Sequence, residues 1–240
     1  MLASELFQTI EQEVPLELAL EDDPVGFIGP GHPEKIEVEN VSVLLDFIPG
    51  KEIPETDLLV CHHPPLFPPP LPTYIIHSNW DIVQGGANDA LAESLQLDVE
   101  GMLEAETGIG RICSIDSTLG DFLEMVSNSL DVDHIRVVKG KQCELKKIAI
   151  ISGFGLNPHY IKLSSENRID LLLSGDLTHP GSVLAQKLGI NVVDATHQAT
   201  EFPGLMKLVR LLNELGVNAH IEQTIKPWET YSCRWNTLVK

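Results

Sequence analysis

The sequence predicts an α/β chain in which short buried strands alternate with amphipathic helices. Three observations carry this. Short apolar runs recur along the 240 residues. The stretches between them space their apolar residues at helical intervals. Glycine, proline and Asx residues punctuate the boundaries. The first element is a helix over 2–13, with Leu2, Leu6 and Ile10 on one face; its acidity argues against a secretory leader. Strands follow at 41–48, 58–61 and 74–77, then a helix over 88–97 and a strand at 109–115. A helix over 119–130 comes next, with Thr118 or Ser117 as its N-cap. The remaining strands fall at 134–138, 147–151, 169–173, 191–194 and 217–221. The remaining helices fall at 158–167, 181–188 and 205–215.

Composition narrows the function. The chain has 35 acidic against 16 basic residues, a formal net charge of -19, which repels a phosphate backbone and disfavours nucleic-acid binding. An anionic small substrate then requires local positive charge, which divalent cations can supply. Cys61, Cys113, Cys143 and Cys233 form no C-x-x-C pair and no disulfide framework, so a reducing, cytoplasmic setting is expected. No apolar run approaches the ~20 residues of a membrane helix.

The chemistry concentrates at strand ends. Cys61-His62-His63-Pro64 ends the run 58–61, and the prolines after it enforce a turn. Neighbouring imidazoles on such a turn can serve two cations. His77, Asp81, Asp176, His179, His197 and Glu201 also lie at or just past apolar runs, the edge where open α/β sheets bind ligands. Imidazoles mixed with carboxylates suit Zn, Fe, Mn or Co. Taken singly, each residue also has an ordinary explanation: a turn pair for His77 and Asp81, an i, i+4 pair for His197 and Glu201, a turn cap or imidazole support for Asp194. Ser152-Gly153-Phe154-Gly155 reads as a plain βα turn; its alternative is a set of backbone N–H groups for an anion. There is no Walker A sequence, nucleophile elbow or H-E-x-x-H.

An echo links the two halves. Asp57–Val60 leads to His62-His63-Pro64, as 170–173 leads to Asp176 and His179-Pro180. The run 74–76 leads to His77-x-x-x-Asp81, as 192–196 leads to His197-x-x-x-Glu201, each followed by glycine and a helix.

CHHPPLF at 61–67, HSNWD with GGANDALAESL at 77–94, SGDLTHP at 174–180 and DATHQATEFPGL at 194–205 together resemble the NIF-three-like family of dinuclear-metal proteins, the GTP cyclohydrolase I type 2 homologs. GIGRIC at 108–113 and SGFG at 152–155 match in order. The resemblance implies a three-layer α/β/α fold with mixed sheets and two related, intertwined lobes, approximately 1–115 with 195–240 and 116–194. It implies no inserted domain, and a site between the lobes. It places two divalent cations per chain on His62, His63, Asp81, His197 and Glu201, with Glu201 as the bridge and with His62 and His63 on different cations. His77, Asp176 and His179 become candidates for catalytic or supporting roles. The resemblance further implies a toroidal homohexamer. The chain differs from many members in its short, Pro-rich segment between His63 and His77.

The expected function is a metal-dependent hydrolase resembling GTP cyclohydrolase I type 2, acting on a small molecule. The alternative is a non-catalytic metal-binding, metal-delivery or regulatory protein. A calcineurin-like phosphoesterase fits less well, because its D-x-H and G-N-H signatures are missing. Lys146, Lys147, Arg111 and Arg168 are the bases a triphosphate would need.

Overall fold

The computed structural model describes residues 1–51, 55–222 and 228, so Cys233 lies outside the described residues. Two mixed sheets organise the chain. The first contains β1 (Gly26–Ile28), β2 (Asn40–Leu44), β3 (Leu58–Cys61), β4 (Thr73–Ile75) and, from the far end of the chain, β11 (Asn218–Ile221). The second contains β5 (Asp98–Met102), β6 (Arg111–Thr118), β7 (Arg136–Val138), β8 (Glu144–Phe154), β9 (Leu171–Gly175) and β10 (Asn191–Asp194).

The echo between the halves reappears as topology. The first sheet runs β1-β4-β3-β2-β11 and the second contains β7-β10-β9-β8 in the corresponding order. In each, three consecutive parallel strands, β4-β3-β2 and β10-β9-β8, have an antiparallel edge strand beside the first of them, β1 on β4 and β7 on β10, and β11 adds a fourth parallel strand to the first sheet. Parallel neighbours need crossover connections, which is why helices separate them in the second half.

Seven α-helices cover the sheets among the described residues: α1 (Ala3–Glu13), α2 (Ser78–Ile82), α3 (Ala87–Ser94), α4 (Leu119–Ser129), α5 (Pro158–Glu166), α6 (His179–Leu188) and α7 (His197–Glu214). Two of them cross between the sheets. α3 follows β4 yet buries Leu91, Ala92 and Leu95 with Phe122 and Ile148 against the second sheet. α7 follows β10 yet buries Leu205, Leu208 and Leu212 with Val41, Leu58 and α1 against the first. A third apolar cluster, including Ile161, Ala185 and Leu172, seats α5 and α6 on the other face of the second sheet. That sheet is therefore covered on both sides, which explains its near-continuous apolar strands.

The crossing helices meet closely. A Cβ built on Gly204 of α7 would stand 2.6 Å from the Cβ of Ala87 in α3, so no larger residue fits there.

Most expected elements appear at their expected places. The N-cap of α4 is Thr118, whose side chain accepts a hydrogen bond from Asp121 N. α7 starts at His197, well before residue 205: the Thr196 hydroxyl caps it by accepting from Ala199 N, and Pro203 is carried inside the helix. β1, β5 and α2 are additions. β5 is an edge strand with charged, mostly exposed positions, so it shows none of the apolar alternation that marks a half-buried strand.

Leu208 is fully buried although its helix comes from the other half of the chain. Leu208→Ala should therefore lower the unfolding free energy by about 2–5 kcal/mol, read from the urea midpoint. A change below about 0.5 kcal/mol would show that α7 does not anchor the first sheet.

Candidate metal centre

The parallel strands of both sheets deliver the candidate residues at their C-terminal ends. His62 and His63 follow β3, His77 and Asp81 follow β4, Asp176 follows β9, and His197 and Glu201 follow β10 on the first turns of α7. The crossing of α3 and α7 brings these ends together.

The carboxylate of Glu201 is the centre of the arrangement and is 3 % exposed. Its Oε1 lies 3.4 Å from His62 Nε2 and 3.0 Å from His197 Nε2, while Oε2 lies 3.2 Å from His63 Nε2. His63 Nε2 and His197 Nε2 are 3.1 Å apart. Asp81 Oδ1 approaches His62 Nε2 at 3.6 Å. The five residues expected from the resemblance therefore converge.

The other nitrogen of each ring is occupied. His62 Nδ1 donates to the Ile76 carbonyl at 2.9 Å. His63 Nδ1 is paired with Asp46 at 2.8 Å, His197 Nδ1 with Asp176 at 2.7 Å and His77 Nδ1 with Asp23 at 2.7 Å. Holding Nδ1 in this way fixes the tautomer and turns the Nε2 lone pair inward, the arrangement of metal-ligating histidines.

The donor set fits a cation. His62 Nε2, Asp81 Oδ1 and Glu201 Oε2 are buried and make no hydrogen bond. Buried polar atoms without hydrogen bonds are costly, so each of them calls for a partner. Two groups of side chains are close enough to share an ion: His62, His63 and His77, and His63, His197 and Glu201.

Electrostatics follow the geometry. Burial would raise the Glu201 carboxyl, but the surrounding imidazoles, His62 foremost, hold it well below the usual range. Burial raises Asp81 to about 6 against the pull of His62. Burial lowers the imidazoles, but hydrogen bonds to Asp46 and Glu201 lift His63 to about 9, and those to Asp176 and Glu201 lift His197 to about 10. Asp23 is lowered to about 2, burial being outweighed by hydrogen bonds from His77 and Ser78.

Asp23 and Asp46 escape sequence reasoning: Asp23 follows no strand, and Asp46 falls inside the expected strand 41–48, whereas β2 ends at Leu44. Register explains Asp23. β1 is antiparallel to β4, with Gly26 opposite Ile75, so β1 begins at the edge where β4 ends. The residues just before β1 therefore meet those just after β4. Asp46 similarly follows β2, the parallel neighbour of β3.

Other expectations resolve differently. His179 is the exposed first residue of α6 and is in neither imidazole group. Asp194 supports no imidazole: it accepts from Leu177 N and Thr196 N and pairs with Arg136. The SGFG turn offers no N–H to an anion at its first two residues, because Ser152 N donates to Asn88 and Gly153 N to Thr200. Its use is steric. A Cβ on Gly153, whose φ is +75°, would stand 2.2 Å from Glu201 Oε1 and 3.2 Å from His197 Nε2. Arg111 is consumed structurally, pairing with Asp89 and donating to the carbonyls of Gly108, Gly110 and Ile82.

Residues 70–228 match the family described as Duf34/NIF3 (NGG1p interacting factor 3). The chain belongs to the Duf34/NIF3 family. Among its relatives, a GTP cyclohydrolase 1 type 2 homolog of Methanothermobacter thermautotrophicus is 40% identical over 227 residues, covering 94% of each chain. One of Methanocaldococcus jannaschii with the same name is 35% identical, covering 89% of this chain and 95% of its own. Among solved structures, reduced HcgD from Methanocaldococcus jannaschii superposes with a TM-score of 0.79 at 32% identity, covering 92% of this chain and 96% of that one. A Bacillus cereus protein related to NIF3 gives a TM-score of 0.81 at 20% identity over 96% of this chain and 99% of its own, a likeness of Duf34/NIF3 fold.

Two measurements probe this Duf34/NIF3 cluster. Gly153→Ala should displace Glu201 and weaken binding of a divalent cation at least tenfold, with Gly120→Ala, where a Cβ has ordinary room, as the unchanged control. Equal affinities would refute the steric role. The second is pH. Folded values of about 9 and 10 for His63 and His197 lie above the ordinary 6.5, so the stability they contribute is full below 6.5 and lost as pH rises through 9 to 10. Chelator-treated protein should show a falling urea midpoint from pH 6.5 upward, with a shallower fall in His197→Gln. Parallel slopes would contradict it.

Proposed function

We propose that this chain is a dinuclear divalent-metal protein and a hydrolase of a small molecule. The supporting observation is that three buried donor atoms, His62 Nε2, Asp81 Oδ1 and Glu201 Oε2, make no hydrogen bond, with His62 Nε2 3.6 Å from Asp81 Oδ1 and 3.4 Å from Glu201 Oε1, beside two further inward imidazoles. His62 and Asp81 would hold one cation and His63 and His197 the other, with Glu201 between them. Nitrogen and oxygen donors without a thiolate suit Zn, Fe, Mn or Co; Cys61 is buried and its thiol is pushed up to about 12 by burial, away from thiolate. Such a pair of cations supplies an acidified water and a clamp on the reacting group.

The protein's own share is orientation and exclusion. The aspartates and the Ile76 carbonyl hold each imidazole at one angle. Burial of Glu201 and His62 keeps bulk water from competing for them. The names of the relatives suggest guanine-ring hydrolysis as the reaction class, with family resemblance adding a toroidal hexamer; the cysteine pattern supports a reducing, cytoplasmic setting. No helix among the described residues is long and apolar enough to cross a membrane.

One observation favours a second reading, metal storage or delivery without turnover. The bases a triphosphate would need stand elsewhere. Lys146 pairs with Asp116 near the start of β8, roughly 20 Å along the strand from Gly153 at the site, on a rise of about 3.3 Å per residue. Lys147 donates to the Asn167 carbonyl, and Arg168 precedes β9 at that same far edge.

Elemental analysis of protein reconstituted with Zn, Mn, Fe or Co should give two cations per chain, falling to one or none in Glu201→Ala and His62→Ala. Fewer than two in the wild type, or no loss in the variants, would overturn the dinuclear reading. Hydrolysis of GTP or a phosphate ester by the loaded protein supports the hydrolase. Full loading with no turnover of any of them supports delivery instead.

A further inference from the structure

His77 stands outside the ligand set that family resemblance supplies, yet the fold treats it as the counterpart of His197. β4 leads into α2 as β10 leads into α7, and β4 and β10 hold equivalent positions in the two sheets. His77 is the N-cap residue of α2 and His197 the first residue of α7. Each is followed four positions later by a carboxylate of the cluster, Asp81 or Glu201. Each has Nδ1 bound to an aspartate at 2.7 Å, Asp23 for His77 and Asp176 for His197.

The position of the ring agrees. Its centroid lies 5.2 Å from that of His62 and 5.5 Å from that of His63. One ring nitrogen from each of His62, His63 and His77 falls within 4.8 Å of the others. With Nδ1 committed to Asp23, the nitrogen of His77 left to bind is Nε2. His62 Nε2 and Asp81 Oδ1 are buried, make no hydrogen bond and lie 3.6 Å apart. Donors about 2.0–2.2 Å from a cation stand roughly 3–3.6 Å from each other, so this pair has the spacing of two ligands of one cation, which Glu201, 3.4 Å from His62 Nε2, joins as a third and one further donor would complete.

We propose that His77, held in place by Asp23, is a sixth ligand of the metal pair. It would complete the His62 and Asp81 shell as His197 completes that of His63 and Glu201. Asp23 is then a positioning residue. Its Oδ1 takes His77 Nδ1, and its Oδ2 accepts from Ser78 N at 3.1 Å and from the Ser78 hydroxyl. Ser78 Oγ in turn accepts from Leu20 N at 2.9 Å, tying the segment before β1 to the start of α2. The ring thus has one orientation, imposed from a part of the chain 54 residues away.

The inference rests on the dinuclear reading, and the experiment separates the two. Chelator-stripped wild type, His77→Ala, His77→Gln and Asp23→Asn are titrated with Co(II). Stoichiometry, both stepwise affinities and the visible absorption bands are read, with circular dichroism as the check on folding. Two cobalt ions are expected in the wild type. His77→Ala and His77→Gln should keep one site unchanged and weaken the other tenfold or more, with altered visible bands. Asp23→Asn should weaken that same site by about 10–100-fold, as loss of an outer partner does. Two ions bound to folded His77→Gln with wild-type affinities and bands would overturn the sixth ligand and leave the dinuclear centre standing. Fewer than two in the wild type would overturn the centre itself. Weakening of both sites equally would overturn the assignment of His77 to one cation.

Discussion

The buried carboxylate of Glu201 is the constraint around which the rest is arranged. A carboxylate 3 % exposed cannot keep its charge without nearby positive partners. Three imidazoles supply them, from two strands that belong to different sheets. That demand forces the end of β3 against the start of α7. It also explains why residue 153 lacks a Cβ and why Thr200 is clamped by Gly153 N. Without a cation, protons on these imidazoles balance the carboxylate; a cation would take the place of those protons and meet the freed Nε2 lone pairs.

The exchange of helices between the sheets makes this possible. α7 carries His197 and Glu201 out of the second sheet, then buries its apolar face on the first. α3 does the converse. Were each helix to pack on its own sheet, the two sets of strand ends would have no reason to face each other. The close approach of Gly204 to Ala87 marks where the crossing is tightest. Arg111, buried and satisfied by Asp89 and backbone carbonyls, fastens the turn between α2 and α3 to β6. The cluster is therefore held by core packing rather than by loops alone, and its imidazoles are oriented before any ligand arrives.

The surface chemistry points the same way. Four imidazoles lean on backbone or carboxylate partners, and two of those carboxylates, Asp46 and Asp176, are each 49 % exposed. These exposed carboxylates and the chain's formal net charge of -19 favour the approach of cations over anions. The basic side chains at the far edge of the second sheet do not alter that.

Much was legible in the sequence by itself. Apolar period determined β3 and β10 to the residue, because strands covered on both faces are written as continuous apolar runs. The His62-His63 turn, His77-x-x-x-Asp81 and His197-x-x-x-Glu201 were readable because ligands cluster just past such runs. Three-dimensional structure decided what depends on contacts distant in the chain. Asp23 reaches His77 only through the antiparallel register of β1 on β4, which a three-residue edge strand does not advertise. β5 is an edge strand without an apolar face, and Pro203 hid the first turns of α7. His179 and Asp194 sit at strand ends like the others, but His179 is the exposed first residue of a helix and the Asp194 carboxylate serves a turn. Spacing places a residue at an edge; only packing of the two sheets sets which way it faces.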